Sequence, residues 1–188
     1  MEKDIEILSE LLSEDAVVEM KTSVYGKTEV TLEEPQEGYS LRLRNLPEDS
    51  VVIKTDRFPA PDTFFKNGKG EAKRADYAIV AHTSQERWVV CIELKGGKPD
   101  SERHVIAQLK GGACLMAYCS EIGRRFWGRD DFLLRENYQY RFVSIRDLSL
   151  SKRPSRTCPN KGIHDIPERM LKLSSPGHLT FRQLVSAN

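Results

Sequence analysis

The chain has 188 residues, 39% hydrophobic and 30% charged, with a formal net charge of +1 at pH 7. That size supports one domain with a real hydrophobic core, and a charge so near zero excludes global attraction to a polyanion, leaving only local basic patches. No apolar run reaches the ~20 residues of a membrane span, and the acidic start MEKDIEIL is unlike a secretory leader. The four cysteines, Cys91, Cys114, Cys119 and Cys158, have neither CxxC nor zinc-finger spacing, and three sit in apolar surroundings, so we expect a reduced, cytoplasmic protein with no membrane partner.

In chain order, Ile5, Leu8, Leu11 and Leu12 recur at helical spacing and predict a first helix over 3–13. Residues 16–36 carry short apolar pieces and the acidic run LEEPQEG without a clear period. YSLRLRN (39–45) alternates strictly and predicts a half-exposed strand, and 51–55 a shorter one. Residues 56–73 hold two prolines, two glycines and several lysines, and read as a long loop of the kind that is uncommon unless functional or mobile. ADYAIVAH (75–82) and RWVVCIEL (87–94) are apolar strands, 102–120 is a second helix, and YRFVSIRDL (140–148) a further strand. The last forty residues are proline-rich and read as irregular, apart from a strand expected near 170–173. We therefore expect an α/β fold around one mixed sheet, a single domain over 1–188 with its core in about 1–148 and a C-terminal extension over 149–188.

The two apolar strands are separated by TSQE, and a hairpin centred there opposes residues whose numbers sum to 169, which sets Asp76 across from Glu93. Lys95 shares that face, since side chains alternate along a strand. Both faces of the pair are otherwise apolar, so both are expected to be covered. Two opposed carboxylates at the rim of an apolar sheet repel one another and demand a compensating positive charge. Lys95 supplies one, in which case the group is a structural ion pair; a divalent cation held by both acids supplies more, and hard oxygen donors suit Mg²⁺ or Mn²⁺. Glu19-Met20-Lys21 and Glu71-Ala72-Lys73 repeat the Glu-x-Lys spacing, but neither has the apolar approach, the opposed aspartate and the glycine stop found at 93–97.

This combination resembles the PD-(D/E)xK nuclease superfamily, with its restriction-endonuclease-like fold: a central mixed sheet flanked by helices in the order αβββαβ. The resemblance implies Asp76 as the first acid, Glu93 and Lys95 as the second acid and lysine, and Gln108 in ERHVIAQLKGG as the helix residue many members add. It further implies Mg²⁺ or Mn²⁺ held by Asp76, Glu93 and the carbonyl of Leu94, with Lys95 activating water or steadying developing charge and Gln108 positioning the lysine or the phosphate. The family proline before the first acid is replaced by Ala75, and the Gln-x-x-x-Tyr pattern of the recombination-exonuclease branch is not carried, position 112 being Gly. A first-helix glutamate seen in several members has Glu10 or Glu14 as its match, although a solvated helix face explains both.

Basic residues flank the proposed site in sequence: Lys66, Lys69, Lys73 and Arg74 before Asp76, Lys110 on the second helix, and the clusters GRRFWGR (123–129, with Arg124 and Arg125) and SKRPSR (151–156). Lys73, Arg74, Lys110, Arg124 and Arg125 are the expected nucleic-acid contacts. Gly111-Gly112 in mid-helix implies close packing on the sheet that a Cβ would block. The expectation is a metal-dependent nuclease acting on DNA rather than RNA, in defence or repair, as a homodimer or part of a larger complex. Its rivals are a catalytically inactive binding or assembly module and an RNA-processing nuclease with the same site.

Overall fold

The structure, a computed structural model, describes residues 4–35, 38–96, 101–147, 162–175 and 177–186. In chain order its elements are α1 (Asp4–Leu11), β1 (Lys21–Thr22), β2 (Thr28–Glu34), β3 (Tyr39–Leu46), β4 (Ser50–Lys54), β5 (Tyr77–His82), β6 (Arg87–Lys95), α2 (Glu102–Phe126), β7 (Gln139–Asp147), β8 (Leu171–Ser175), β9 (His178–Thr180) and α3 (Phe181–Val185).

The fold is α/β, with two mixed sheets in place of the single one expected. Five strands run in the order β4-β5-β6-β7-β8, antiparallel as far as β6 and parallel beyond it. Four run in the order β1-β2-β3-β9, with only the last pair parallel. The parallel β6–β7 pair needs a crossover, which α2 supplies.

Both faces of the β5–β6 hairpin are covered, as expected. On one, Ala78, Val80, Val89, Cys91 and Phe142 pack against Ile7 and Leu8 of α1 and Val105, Leu109 and Met116 of α2. On the other, Tyr77, Ile79, Val90, Ile92 and Val143 pack against Leu32, Leu41 and Leu43 of the smaller sheet and Phe181 and Leu184 of α3. Each such large side chain contributes about 1.5–3 kcal/mol on burial, which is why β5 and β6 read as continuous apolar runs while β3 alternates.

The indistinct 16–36 segment supplies β1 and β2; β2 buries only Val30 and Leu32 and carries charges on its other face. The described C-terminal residues are ordered elements rather than irregular chain. β8 extends the five-stranded sheet, β9 pairs with β3, and α3 closes the inter-sheet core. Buried His164 donates its Nε2–H to the Leu184 carbonyl, 2.7 Å away. Cys158 and the basic cluster at 151–156 lie outside the described residues.

α2 continues to Phe126, beyond the predicted end at 120. Its glycines carry the reason it can lie so close. A Cβ at Gly111 would sit 1.7 Å from the Lys73 carbonyl oxygen, and one at Gly112 would meet Ala75 Cβ at 3.0 Å and Cys91 Sγ at 3.4 Å. Gly123 faces the Phe132 ring, which a Cβ would meet at 2.2 Å. Of the cysteines, Cys91 and Cys119 are core residues whose thiols burial pushes up to about 12 and about 11, while Cys114 is exposed.

Candidate active site

The β5–β6 register pairs Tyr77 with Ile92 and His82 with Arg87, the alignment expected from the sequence. Asp76 stands one residue before β5. Its N–H donates to the Ile92 carbonyl at 3.2 Å, and its Oδ2 accepts the N–H of Leu94 at 2.7 Å. These two bonds bracket Glu93 and hold Asp76 at the carboxyl end of the central strand. The local cause is an accounting of donors: β5 stops short of Leu94, whose N–H would otherwise be orphaned, and the Asp76 carboxylate takes it. From β4's side, Thr55 N–H donates to the Asp76 carbonyl at 3.0 Å and the Thr55 hydroxyl to the Ala75 carbonyl.

Glu93 is fully buried, not at the rim as expected, and Lys95 Nζ lies 2.6 Å from its Oε1, the lysine side chain being only 12% exposed. In the parallel ladder Ser144 of β7 stands beside Glu93, itself buried. Asp76 is strongly perturbed: burial raises its carboxyl from 3.8 to about 7. The Leu94 N–H and Lys95 oppose that rise, and Glu34 and Asp56 add to it. Burial outweighs the positive charge of Lys95, which is itself paired with Glu93.

Asp76, Leu94, Lys95 and Gln108 line one cleft of about 380 Å³ together with Glu33, Glu34, Pro35, Asp56 and Tyr77. Gln108, from the second turn of α2, brings a side-chain oxygen that is buried and has no hydrogen-bond partner among the described residues. The four residues expected to act together are therefore assembled at one end of the sheet, three lining the cleft and Glu93 behind Lys95. Among the described residues no three His, Cys, Asp or Glu side chains converge as a metal-binding group, so an ion there would draw on two carboxylates completed by the Leu94 carbonyl and water. That carbonyl leaves β6 on the same edge as the Leu94 N–H, toward Asp76. Two acids, one strand carbonyl and water form the kind of donor set Mg²⁺ accepts.

The other anticipated residues divide. Lys73 lies in the segment before Asp76, its Nζ 2.8 Å from His104 Nε2 at the start of α2. Arg74 has Nε and Nη1 buried without hydrogen-bond partners among the described residues. Lys110 is paired with Glu168, 2.5 Å away. Arg124 and Arg125 both bond Glu121, at 3.0 and 3.1 Å. They stand sixteen and seventeen residues beyond Gln108, about 25 Å along the helix, so the structure does not bring them to the cleft. Glu10 accepts the Trp127 indole N–H at 2.9 Å, near that far end of α2.

Sequence reasoning missed Glu34, Asp56 and Thr55. Glu34 belonged to a visible acidic run whose placement only the second sheet determines, and Asp56 sits in a loop turn with no periodic signal. In comparisons with known proteins, no family model matches this chain, and neither the curated proteins nor the solved structures provide a significant match.

Proposed function

We propose that this protein is a metal-dependent nuclease of the PD-(D/E)xK type, hydrolysing phosphodiester bonds in DNA at the carboxyl end of β6. The observation that carries the reading is Asp76: a desolvated carboxylate, its proton affinity raised to about neutrality, pinned beside a buried Glu93–Lys95 pair. The order α1, β4, β5, β6, α2, β7 around the five-stranded sheet supports a restriction-endonuclease-like core.

Asp76, Glu93 and the carbonyl of Leu94 would hold Mg²⁺ or Mn²⁺, which supplies Lewis-acid polarisation of the scissile phosphate. Lys95, ion-paired with Glu93, offers charge and N–H donors rather than a lone pair. It stabilises negative charge developing on the phosphate oxygens in a site partly closed to water. Gln108, with an unsatisfied side-chain oxygen at the cleft, accepts a hydrogen bond from the attacking water and orients it. Lys73 and Arg74, in the segment before Asp76, would meet the phosphate backbone; the DNA assignment over RNA rests on the family likeness.

The test is incubation of supercoiled plasmid and of a structured RNA with Mg²⁺, Mn²⁺ or EDTA, using wild type, Asp76→Asn and Lys95→Ala. Plasmid cutting that needs metal and drops by about 10²–10³ in Lys95→Ala supports the assignment; undiminished cutting by Lys95→Ala removes this mechanism. One feature favours a second reading. The buried Glu93 carboxylate is paired with Lys95 at 2.6 Å, as in a catalytically inactive binding or assembly module, and an absence of metal-dependent cutting on either substrate would favour that module.

A further inference from the structure

We propose that the strip formed by the 54–70 segment and the outer face of α2 is a docking surface for a single-stranded polynucleotide, leading unpaired substrate toward the Asp76 cleft. The inference rests on the nuclease reading of that cleft and names the class of substrate it takes.

The 3-10 turn Thr55–Arg57 separates two concavities. Asp56 faces the candidate active site, while Lys54, Arg57 and Phe58 line a neighbouring apolar groove of about 230 Å³ with Leu115, Tyr118 and Ile122. From that turn the chain runs along α2. It begins with the Phe58 ring 5.7 Å from that of Tyr118, and it returns at Gly70, where a Cβ would meet Ala107 Cβ at 3.1 Å and where φ of +86° favours glycine. Residues 107 and 118 are about 16 Å apart along the helix, and the 107 end adjoins Gln108.

Aromatic rings crowd this strip. Phe64 is 84% exposed, Tyr118 54%, Phe65 46% and Phe58 38%, and Phe64 and Phe65 meet edge to face at 5.0 Å. Exposed rings in such number are not core packing, and the segment is not slack. Glu71 accepts the N–H groups of Gly68 and Lys69, and Asn67 accepts that of Ala72.

Charge selects the occupant. Lys54, Arg57, Lys66 and Lys69 have no ion-pair partner among the described residues, and the only acids from 54 to 70 are Asp56 and Asp62. Unpaired cations interleaved with exposed rings are the chemistry of single-strand binding: phosphates meet the cations and unstacked bases meet ring faces, which a duplex keeps out of reach. An apolar protein partner would leave the four cations uncompensated.

The experiment is fluorescence anisotropy with labelled oligo-dT, oligo-rU and a blunt duplex of equal length, on the full chain in EDTA. Wild type is compared with Phe64→Ala, Arg57→Ala and, as control, Tyr25→Ala, an 87% exposed ring in the β1–β2 turn. Both single strands are expected to bind more tightly than the duplex, with a log–log salt slope of about −3 for four phosphate contacts. Phe64→Ala is expected to weaken binding by about five- to a hundred-fold, Arg57→Ala to flatten the slope by about 0.7, and Tyr25→Ala to change neither. Tighter duplex binding, or single-strand affinity indifferent to Phe64, overturns the proposal; so does light scattering that shows a wild-type dimer dispersed by Phe64→Ala with oligonucleotide affinity intact. Phe64-dependent binding without metal-dependent cutting leaves the strip standing and defeats the nuclease reading, whereas metal-dependent cutting that is indifferent to Phe64 does the reverse.

Discussion

Asp76→Asn is expected to stabilise the metal-free protein at neutral pH while destroying the proposed cation site. Asparagine keeps an oxygen for the Leu94 N–H and removes the ionisation that burial opposes. In the folded chain Asp76 holds its proton to about pH 7 against an ordinary 3.8. Between those values the native state binds more protons than the unfolded state, so this group makes stability fall as pH rises. At 1.36 kcal/mol per pH unit the penalty reaches about 4 kcal/mol above pH 7. About half is in force at pH 5.5, so the stability advantage of Asp76→Asn should grow by about 2 kcal/mol from pH 5.5 to pH 8. His82 and His164 titrate in both proteins and cancel in the difference. Urea denaturation in EDTA at the two pH values measures it, and millimolar Mg²⁺ should narrow the gap by stabilising wild type alone. An advantage that is flat or shrinking with pH would refute the argument that Asp76 is a desolvated acid awaiting a cation.

Further outcomes follow from the same geometry. Glu93→Gln and Lys95→Met should each cost about 3–5 kcal/mol, since each strands the other charge in the core, while the double variant should recover much of the loss; a double-mutant cycle by chemical denaturation reads the coupling. Gly111→Ala should destabilise by more than 1–3 kcal/mol despite a helix-propensity gain of about 1 kcal/mol, because its Cβ collides with the Lys73 carbonyl, and Gly112→Ala should cost less; thermal melts rank them. Replacing Arg124 and Arg125 together by alanine should leave oligonucleotide affinity within twofold of wild type, both being committed to Glu121 and remote from the cleft, whereas Lys73→Ala should weaken it.

The central hairpin was legible because strand alternation is rigid: once TSQE marks the turn, every opposition from Tyr77–Ile92 to His82–Arg87 follows, and Asp76 arrives bonded to Ile92 and Leu94 on either side of Glu93. The second sheet was not, because its assembly depends on distant pairings rather than local pattern. β2 offers two buried side chains, β9 is three residues long, and β9 reaches β3 across more than 130 residues of chain. The tail misled for the same reason: LKLSS and HLT are too short to show a period, yet they complete both sheets. At the site, the residues on strands and helix were visible through register and spacing, whereas Asp56 and Glu34 arrive from a turn and from the other sheet. The basic run at 123–129 attracted attention as charge, although Glu121, three and four residues earlier, already neutralised two of its arginines.

The most direct measurement is a calorimetric titration of Mn²⁺ into the metal-free full chain near pH 6.5, repeated in buffers of different ionisation heat. One saturable site is predicted, releasing most of a proton as the ion displaces it from Asp76, and vanishing in Asp76→Asn. Heat that never saturates, or a site that Asp76→Asn leaves intact, contradicts it.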